Sequence, residues 1–180
     1  MVKSLKPPLS KKTVSKLNAG DSVTINGTIY VLRDEAEKRI FEYIKTSKKV
    51  PMHLDGAILF HSGPIITKME EKWKTVALGP TTTARINDIA PKIIEKTGIS
   101  GIIGKGGLGK ESLEAMEEYG CVYIAFPGGS SAFGSAAVVN VQEKIWEDLV
   151  EPVWKIEVKN LGPLTVAMDS KGKTLYRNSH

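Results

Sequence analysis

Two short segments of this chain carry residue types suited to chemistry. In Gly79-Pro80-Thr81-Thr82-Thr83-Ala84-Arg85, three hydroxyls and a guanidinium stand where a helix is expected to begin. In Gly101-Ile102-Ile103-Gly104-Lys105-Gly106-Gly107, an ammonium sits inside a glycine run that leaves a short apolar strand. Backbone N–H groups at a helix start, hydroxyls and two permanent cations together suit a small, doubly charged carboxylate. No segment offers a metal cage or a nucleophile–base pair of comparable clarity. The chain reads as the half of an active site that grips an anion.

Each segment has a plainer reading beside this one. Thr81 to Thr83 also serve as an ordinary helix cap, with Arg85 on the surface. Gly104 to Lys110 nearly matches the phosphate-binding pattern G-x-x-x-x-G-K-[ST], but Glu111 stands where a hydroxyl should meet magnesium. An acid there repels phosphates, so Lys105, flanked by glycines that let a ligand approach the backbone, is the better candidate. Its plain alternative is a solvated lysine on a tight turn. His61 ends an apolar strand and is the one acid–base candidate among the histidines, with a structural role favoured; His53 and His180 read as loop and tail. No spacing of histidines or cysteines points to a metal site. Glu70, Glu71 and the acids of the helix after the glycine loop read as exposed rather than as a catalytic pair.

The elements that position these residues follow from hydrophobic periodicity. Ser10 caps a short helix to about Leu17. Ser22 to Ile25 and Thr28 to Leu32 read as strands, with Asn26-Gly27 as a hairpin turn between them. Asp34 then caps a helix to about Lys45, which places Arg33 at a strand-to-helix junction. Ala57 to His61 is a buried strand stopped by Gly63-Pro64, and Trp73 to Leu78 is another. A helix is expected from about Thr83 to Lys96, closed by Gly98. A strand at Gly101–Ile103, a helix from Lys110 to Tyr119 and a strand from Cys121 to Phe126 follow. The glycine loop at Pro127 comes next, then a helical stretch within 132–149. Trp154 to Val158 and Leu164 to Met168 are strands before a turn at 169–172. Alternating strands and helices in the middle, with strands at both ends, predict a mixed α/β domain with an additional β layer.

Composition bounds the rest. The 180 residues, 41% hydrophobic and 25% charged, fit one soluble globular domain over 1–180, with residues 1–20 as a basic extension packed on it or flanking it. The net charge of +5 favours acidic ligands, but its lysines cluster at the N-terminus and around Lys45, Lys48 and Lys49, where they read as solvated faces rather than a nucleic-acid groove. No stretch approaches the roughly 20 apolar residues of a membrane span. Neither nucleic acid nor membrane is expected as a partner, and the expected location is cytoplasmic. Cys121 is the one cysteine, set in an apolar run, and reads as a buried hydrophobe. A single thiol cannot hold an iron–sulfur cluster.

Taken together, Arg33-Asp34, Ile58 to Pro64, Leu78-Gly79-Pro80-Thr81-Thr82-Thr83-Ala84-Arg85-Ile86, Gly104-Lys105-Gly106, Pro127-Gly128-Gly129 and Trp154 to Val158 make the chain resemble a known family. It is similar to the β subunit, or C-terminal domain, of the iron–sulfur hydro-lyases of the class I fumarase and L-tartrate dehydratase family. The resemblance covers the chain from about Arg33 onward. It implies a swivelling β/β/α domain with a mixed sheet, helices on one side and an additional β layer. The implied reaction is reversible addition of water across the double bond of a C4 dicarboxylate. A separate α subunit is implied to bind a 4Fe-4S cluster, and a dimer of heterodimers is the implied assembly.

Carried over by position, Arg33, Thr81, Arg85 and Lys105 are the implied substrate ligands, with Thr81, Arg85 and Lys105 as the implied catalytic set. Thr81 would stand beside the reacting carbon, and a neutral threonine needs a carboxylate from the partner to act as a base. Where many members read Arg-Met-Asp, this chain has Arg85-Ile86-Asn87-Asp88; the acid falls one place later and Asp88 stays outside the expected site. The chain is thus expected to be the β subunit of a two-subunit fumarate hydratase. The close alternative is the β subunit of L(+)-tartrate dehydratase, and the alternative of another class is a nucleotide- or phosphate-binding module at 104–110.

Overall fold

The computed structural model describes residues 1–176. Its strands are β1 (Lys3–Leu5), β2 (Ser22–Leu32), β3 (Ile58–His61), β4 (Ile65–Met69), β5 (Lys72–Ala77), β6 (Gly101–Gly104), β7 (Val122–Ala125), β8 (Val138–Ile145) and β9 (Val153–Met168). The helices are α1 (Lys11–Val14), α2 (Glu35–Lys45), α3 (Ala90–Thr97), α4 (Lys110–Tyr119) and α5 (Ser131–Ala136), with a 3₁₀ turn at Thr83–Ile86. This is an α/β fold with a mixed sheet.

The main sheet runs β1-β2-β3-β6-β7-β9-β8, and β9 also pairs with β2, so the strands β2, β3, β6, β7 and β9 close on themselves. Neighbours from β2 to β7 are parallel; β9 is antiparallel to β2, β7 and β8. Helices α2, α3 and α4 carry the parallel connections. The central strands are buried on both faces, which is why they read as continuous apolar runs. Alternate residues still divide between two cores. Ile29, Val31, Ile58, Phe60, Ile103 and Ile124 face one, together with Leu5, Leu9, Val14 and Leu17 of the N-terminal segment. Tyr30, Leu32, Leu59, Ile102 and Tyr123 face the other, packed on Ile40 of α2, Ile93 and Ile94 of α3 and Met116 of α4.

Two expectations need correction, and two strands, β4 and β8, go beyond the sequence reading. Asn26-Gly27 is no hairpin turn: β2 runs through it, because both flanks pair with β9 rather than with each other, and two register shifts absorb the irregularity. Asn26 instead accepts from the Asn160 N–H and donates to Ser4, tying three strands together. The helical stretch within 132–149 stops at Ala136; Val138–Ile145 is a strand paired with β9, as its β-branched residues favour. The long helix from Thr83 is a 3₁₀ turn followed by α3, with Pro91 in the first turn of α3, where its missing N–H costs nothing. Finally, Ile65–Met69 and Lys72–Ala77 form a separate two-stranded ribbon; only the second of these strands is legible in the sequence. Glu70 and Glu71 make its turn and are exposed, each at positive φ.

Candidate functional site

The parallel strands β2, β3, β6 and β7 end together, and the expected site residues lie at those carboxyl ends. Arg33 follows β2, His61 closes β3, Lys105 follows β6 and Pro127-Gly128-Gly129 lies just beyond β7. In parallel α/β sheets, open or closed, ligands commonly bind outside such strand ends. The threonine segment lies across them as a strap. The Thr81 N–H donates to the His61 carbonyl at 2.9 Å, and the Thr83 N–H donates to the Lys105 carbonyl at 3.0 Å. Thr82 and Lys105 form an isolated parallel bridge. Two segments that are distant in sequence are therefore stitched into one rim.

Thr83 is wholly buried beneath that rim. Its Oγ1 accepts from the Lys105 N–H at 3.1 Å and meets the Tyr123 hydroxyl at 3.0 Å. The Tyr123 hydroxyl in turn accepts from the Gly107 N–H at 3.2 Å. A Cβ at Gly104 would collide with Thr83 Oγ1, so only glycine fits there. Burial pushes the Tyr123 phenol well above its ordinary value, so it stays a neutral hydrogen-bonding group. The same bonds speak against a phosphate cradle. The Gly107 N–H is already engaged, and the Tyr176 ring covers that glycine, since a Cβ there would lie 2.6 Å from two ring carbons.

Arg33 reaches the strap directly: its Nη1 donates to Thr81 Oγ1 at 3.0 Å. Its Nε donates to Glu151 Oε1 at 2.6 Å, and its Nη2 contacts the same oxygen. The hydrogen bond with Glu151 holds the guanidinium above its ordinary pKa. Gly63 makes room for this side chain, because a Cβ there would stand 2.5 Å from Arg33 Nε and Cζ. A cleft of about 470 Å³ opens beside it, lined by Arg33, Ser62, Gly63, Pro64, Lys144 and Glu151 among others.

Arg85 donates from Nη1 to Asp34 Oδ2 at 3.1 Å and leaves 56% of its side chain exposed. Asp34 was expected as the cap of α2. It does occupy the N-cap position, but its side chain caps nothing and its backbone sits at φ 42° and ψ −83°. That conformation is costly for a residue with a Cβ and goes with a carboxylate committed elsewhere. Lys105 is exposed and has no carboxylate within ion-pair distance among the described residues. Its stem passes the glycine loop after β7, where a Cβ on Gly128 would come within 3.3 Å of Lys105 Cδ. The structure thus brings Arg33, Thr81, Arg85 and Lys105 onto one connected surface. Asp88 is exposed two residues beyond the 3₁₀ turn and makes none of these contacts.

Sequence reasoning missed Asp34, Glu37, Tyr123 and Glu151 as partners. Asp34 and Glu37 are one helical turn apart, a signal that is also ordinary at a helix start. His61 is fully buried, as its structural reading requires; His180 lies outside the described residues. The His61 Nδ1 lies 2.8 Å from Glu37 Oε1, but the His61 Nε2 has no hydrogen-bond partner. Asp34, Glu37 and His61 are the one set among the described residues whose ligand-type atoms lie within 4.8 Å of one another. The Arg85 and His61 contacts already occupy one oxygen of each carboxylate. Cys121 is buried, and burial pushes its thiol up to about 12, which suits neither a nucleophile nor a cluster ligand.

Comparison with known proteins shows the family. The family description "Fumarase C-terminus" matches residues 2–179. A protein of Methanocaldococcus jannaschii, provisionally named L(+)-tartrate dehydratase subunit beta, is 47% identical over 171 residues, covering 93% of this chain and 88% of its own. The Escherichia coli protein named L(+)-tartrate dehydratase subunit beta is 32% identical over 177 residues, covering 97% and 87%. A Geobacillus stearothermophilus protein provisionally named fumarate hydratase class I is 33% identical over 178 residues, which are 97% of this chain but 34% of that longer one. The family match over nearly the whole chain, together with these relatives, places the protein in the fumarase C-terminal family, alongside proteins named as tartrate dehydratase β subunits and a class I fumarate hydratase.

Proposed function

We propose that this chain is the β subunit of a two-subunit fumarate hydratase, a hydro-lyase that reversibly converts fumarate to L-malate. The observation that carries the reading is the gathering of these residues on one rim: Arg33 bonds Thr81, the threonine strap bridges to Lys105, and Arg85 pairs with Asp34 beside Arg33. Arg33 and Arg85 suit the two carboxylates of a C4 diacid, each offering a planar fork of donors. Removing a proton beside a carboxylate builds enediolate-like charge, which Arg85 and Lys105 stabilise from fixed positions. Thr81 Oγ1 accepts from Arg33, so its own proton is free to point toward substrate or toward a partner carboxylate.

The family uses a 4Fe-4S cluster, and the residues of this chain do not fit one. Its single cysteine is buried, with its thiol held neutral. The cluster therefore belongs to an α subunit, and the working assembly is a dimer of such heterodimers in the cytoplasm. No described helix is long and apolar enough to cross a membrane.

L(+)-tartrate dehydration is the second reading, favoured by the names of the Methanocaldococcus and Escherichia relatives. Anaerobic reconstitution with the α subunit, followed by kcat/KM for fumarate, L-malate and L(+)-tartrate, tests both. Turnover of fumarate by the pair but not by the isolated chain is expected. Turnover confined to L(+)-tartrate replaces the first reading with the second, and turnover of neither removes both.

A further inference from the structure

Four side chains form a series that starts in the core and ends on the exposed rim. Glu37, in the first turn of α2, is 1% exposed and places Oε1 2.8 Å from His61 Nδ1. His61 is 0% exposed and turns Nε2 toward Asp34 Oδ1, 3.8 Å away. Asp34 Oδ2 accepts from Arg85. His61 Nε2 and Asp34 Oδ1 are both buried and both without a hydrogen-bond partner, and they face each other.

The proton inventory gives this gap a meaning. One proton lies between Glu37 and His61 Nδ1, on whichever atom holds it. A second proton on Nε2 points at Asp34 Oδ1 and satisfies both orphaned atoms at once. The separation is longer than a hydrogen bond, so the contact is poised rather than made. Meanwhile Asp34 occupies a guanidinium that a bound carboxylate would also need. A carboxylate released from Arg85 into a half-buried site requires a new donor, and His61 Nε2 is the donor in place.

We propose that His61 and Glu37 are positioning residues that make Asp34 an exchangeable partner of Arg85. Without substrate, Asp34 orients the Arg85 guanidinium. When a substrate carboxylate takes Arg85, Asp34 turns onto His61 Nε2–H, and Glu37 keeps the imidazole oriented through Nδ1. This rests on the reading of Arg85 as a substrate ligand. It predicts that losing the His61 donor weakens substrate binding rather than chemistry, because Asp34 then stays on Arg85 and competes.

The test uses the reconstituted complex with fumarate and with L(+)-tartrate. His61→Leu should raise KM about tenfold or more and leave kcat within about threefold. His61→Gln, whose amide keeps a donor toward Asp34, should recover most of the loss. In an Asp34→Asn background, where the competing charge is gone, His61→Leu should have no further effect on KM. If His61→Leu does not fold, His61→Phe takes its place in both backgrounds. An unchanged KM in folded His61→Leu or His61→Phe overturns the proposal, as does an equal rise in both backgrounds. A stoichiometric divalent metal that is present in the wild-type complex and lost in Glu37→Gln also overturns it. Arg85→Ala separates the two levels. If turnover survives it, the site reading itself fails; if turnover is lost while the His61 variants are silent, only this inference fails.

Discussion

Thr83 Oγ1 and the Tyr123 hydroxyl lie 3.0 Å apart in the buried seam beneath Lys105. Through them, one threonine and one tyrosine satisfy the N–H groups of both Lys105 and Gly107. Tyr123→Phe leaves the Gly107 N–H without its acceptor and should lower stability by about 1–3 kcal/mol. Thr83→Val leaves the Lys105 N–H unpaired in the same way. Both should also reduce kcat/KM of the complex, because the ammonium loses its anchorage. Denaturation midpoints and steady-state kinetics check this. A Tyr123→Phe protein with unchanged midpoint and unchanged kinetics would show that the seam does not support the site.

Arg85 and Lys105 are both exposed on the rim, so truncating them should leave the fold intact. On the proposed function, Arg85→Ala and Lys105→Ala should each lower kcat/KM on the order of 10²-fold or more, since each removes a fixed charge from the developing anion. Thermal melts and assembly with the α subunit serve as the controls. A loss of less than a few fold in both variants argues for a scaffold role instead.

Arg33 is confined from two sides, by Gly63 and by Glu151. Gly63→Ala places a methyl against the guanidinium and should raise KM by displacing it from Thr81. Glu151→Gln acts in the opposite direction. The pair is roughly a third exposed, with side-chain exposures of 31% and 29%, so its loss should cost little stability, about 0–1 kcal/mol. Freed of its counter-charge, Arg33 should bind a dicarboxylate more tightly, read as a lower KM or a lower inhibition constant for succinate. A higher KM in Glu151→Gln would mean that Glu151 orients Arg33 rather than competing for it.

Cys121 gives the chain a dependence on alkaline pH. Burial raises its thiol from the ordinary 9.0 to about 12. Between those values the unfolded chain has released the proton and the folded chain still holds it. The folded state binds more protons across this window, so stability falls as pH rises through it, by up to about 1.4 kcal/mol per pH unit from this group. Tyr123, also raised by burial, adds to the slope in the same direction. Denaturant titrations between about pH 8 and about pH 11 should therefore show wild type losing more stability than Cys121→Ala. Parallel losses would contradict the assignment.

The parallel core was legible because each central strand is an unbroken apolar run closed by glycine or proline, and because α2 and α4 carry helical stripes with clear stops. Gly98 and Gly120 end their helices in the left-handed conformation, as glycine does there. Asn26-Gly27 misled because the dipeptide fixes a local backbone preference, whereas its outcome depends on β9, more than a hundred residues away. Val138–Ile145 was not legible as a strand because its alternation is muted by an exposed face carrying Asn140, Gln142 and Glu143. In the site, Thr81, Arg85 and Lys105 stood out by residue type and setting, while Arg33 entered through the family resemblance. Their partners did not. A carboxylate such as Glu151, 118 positions from Arg33, carries no mark in sequence to say which cation it will meet.

The strand that seals the sheet is also the last of the described strands to be made. Before the ribosome releases 153–168, β2 and β7 each wait with a bare edge, and the ring stands open as a curved band. Closure must bridge a long stretch of chain, which makes it a slow, late event in maturation. The band is also most prone to sticking in that interval, so a nascent chain of this family is best protected between the synthesis of Ala125 and that of Met168.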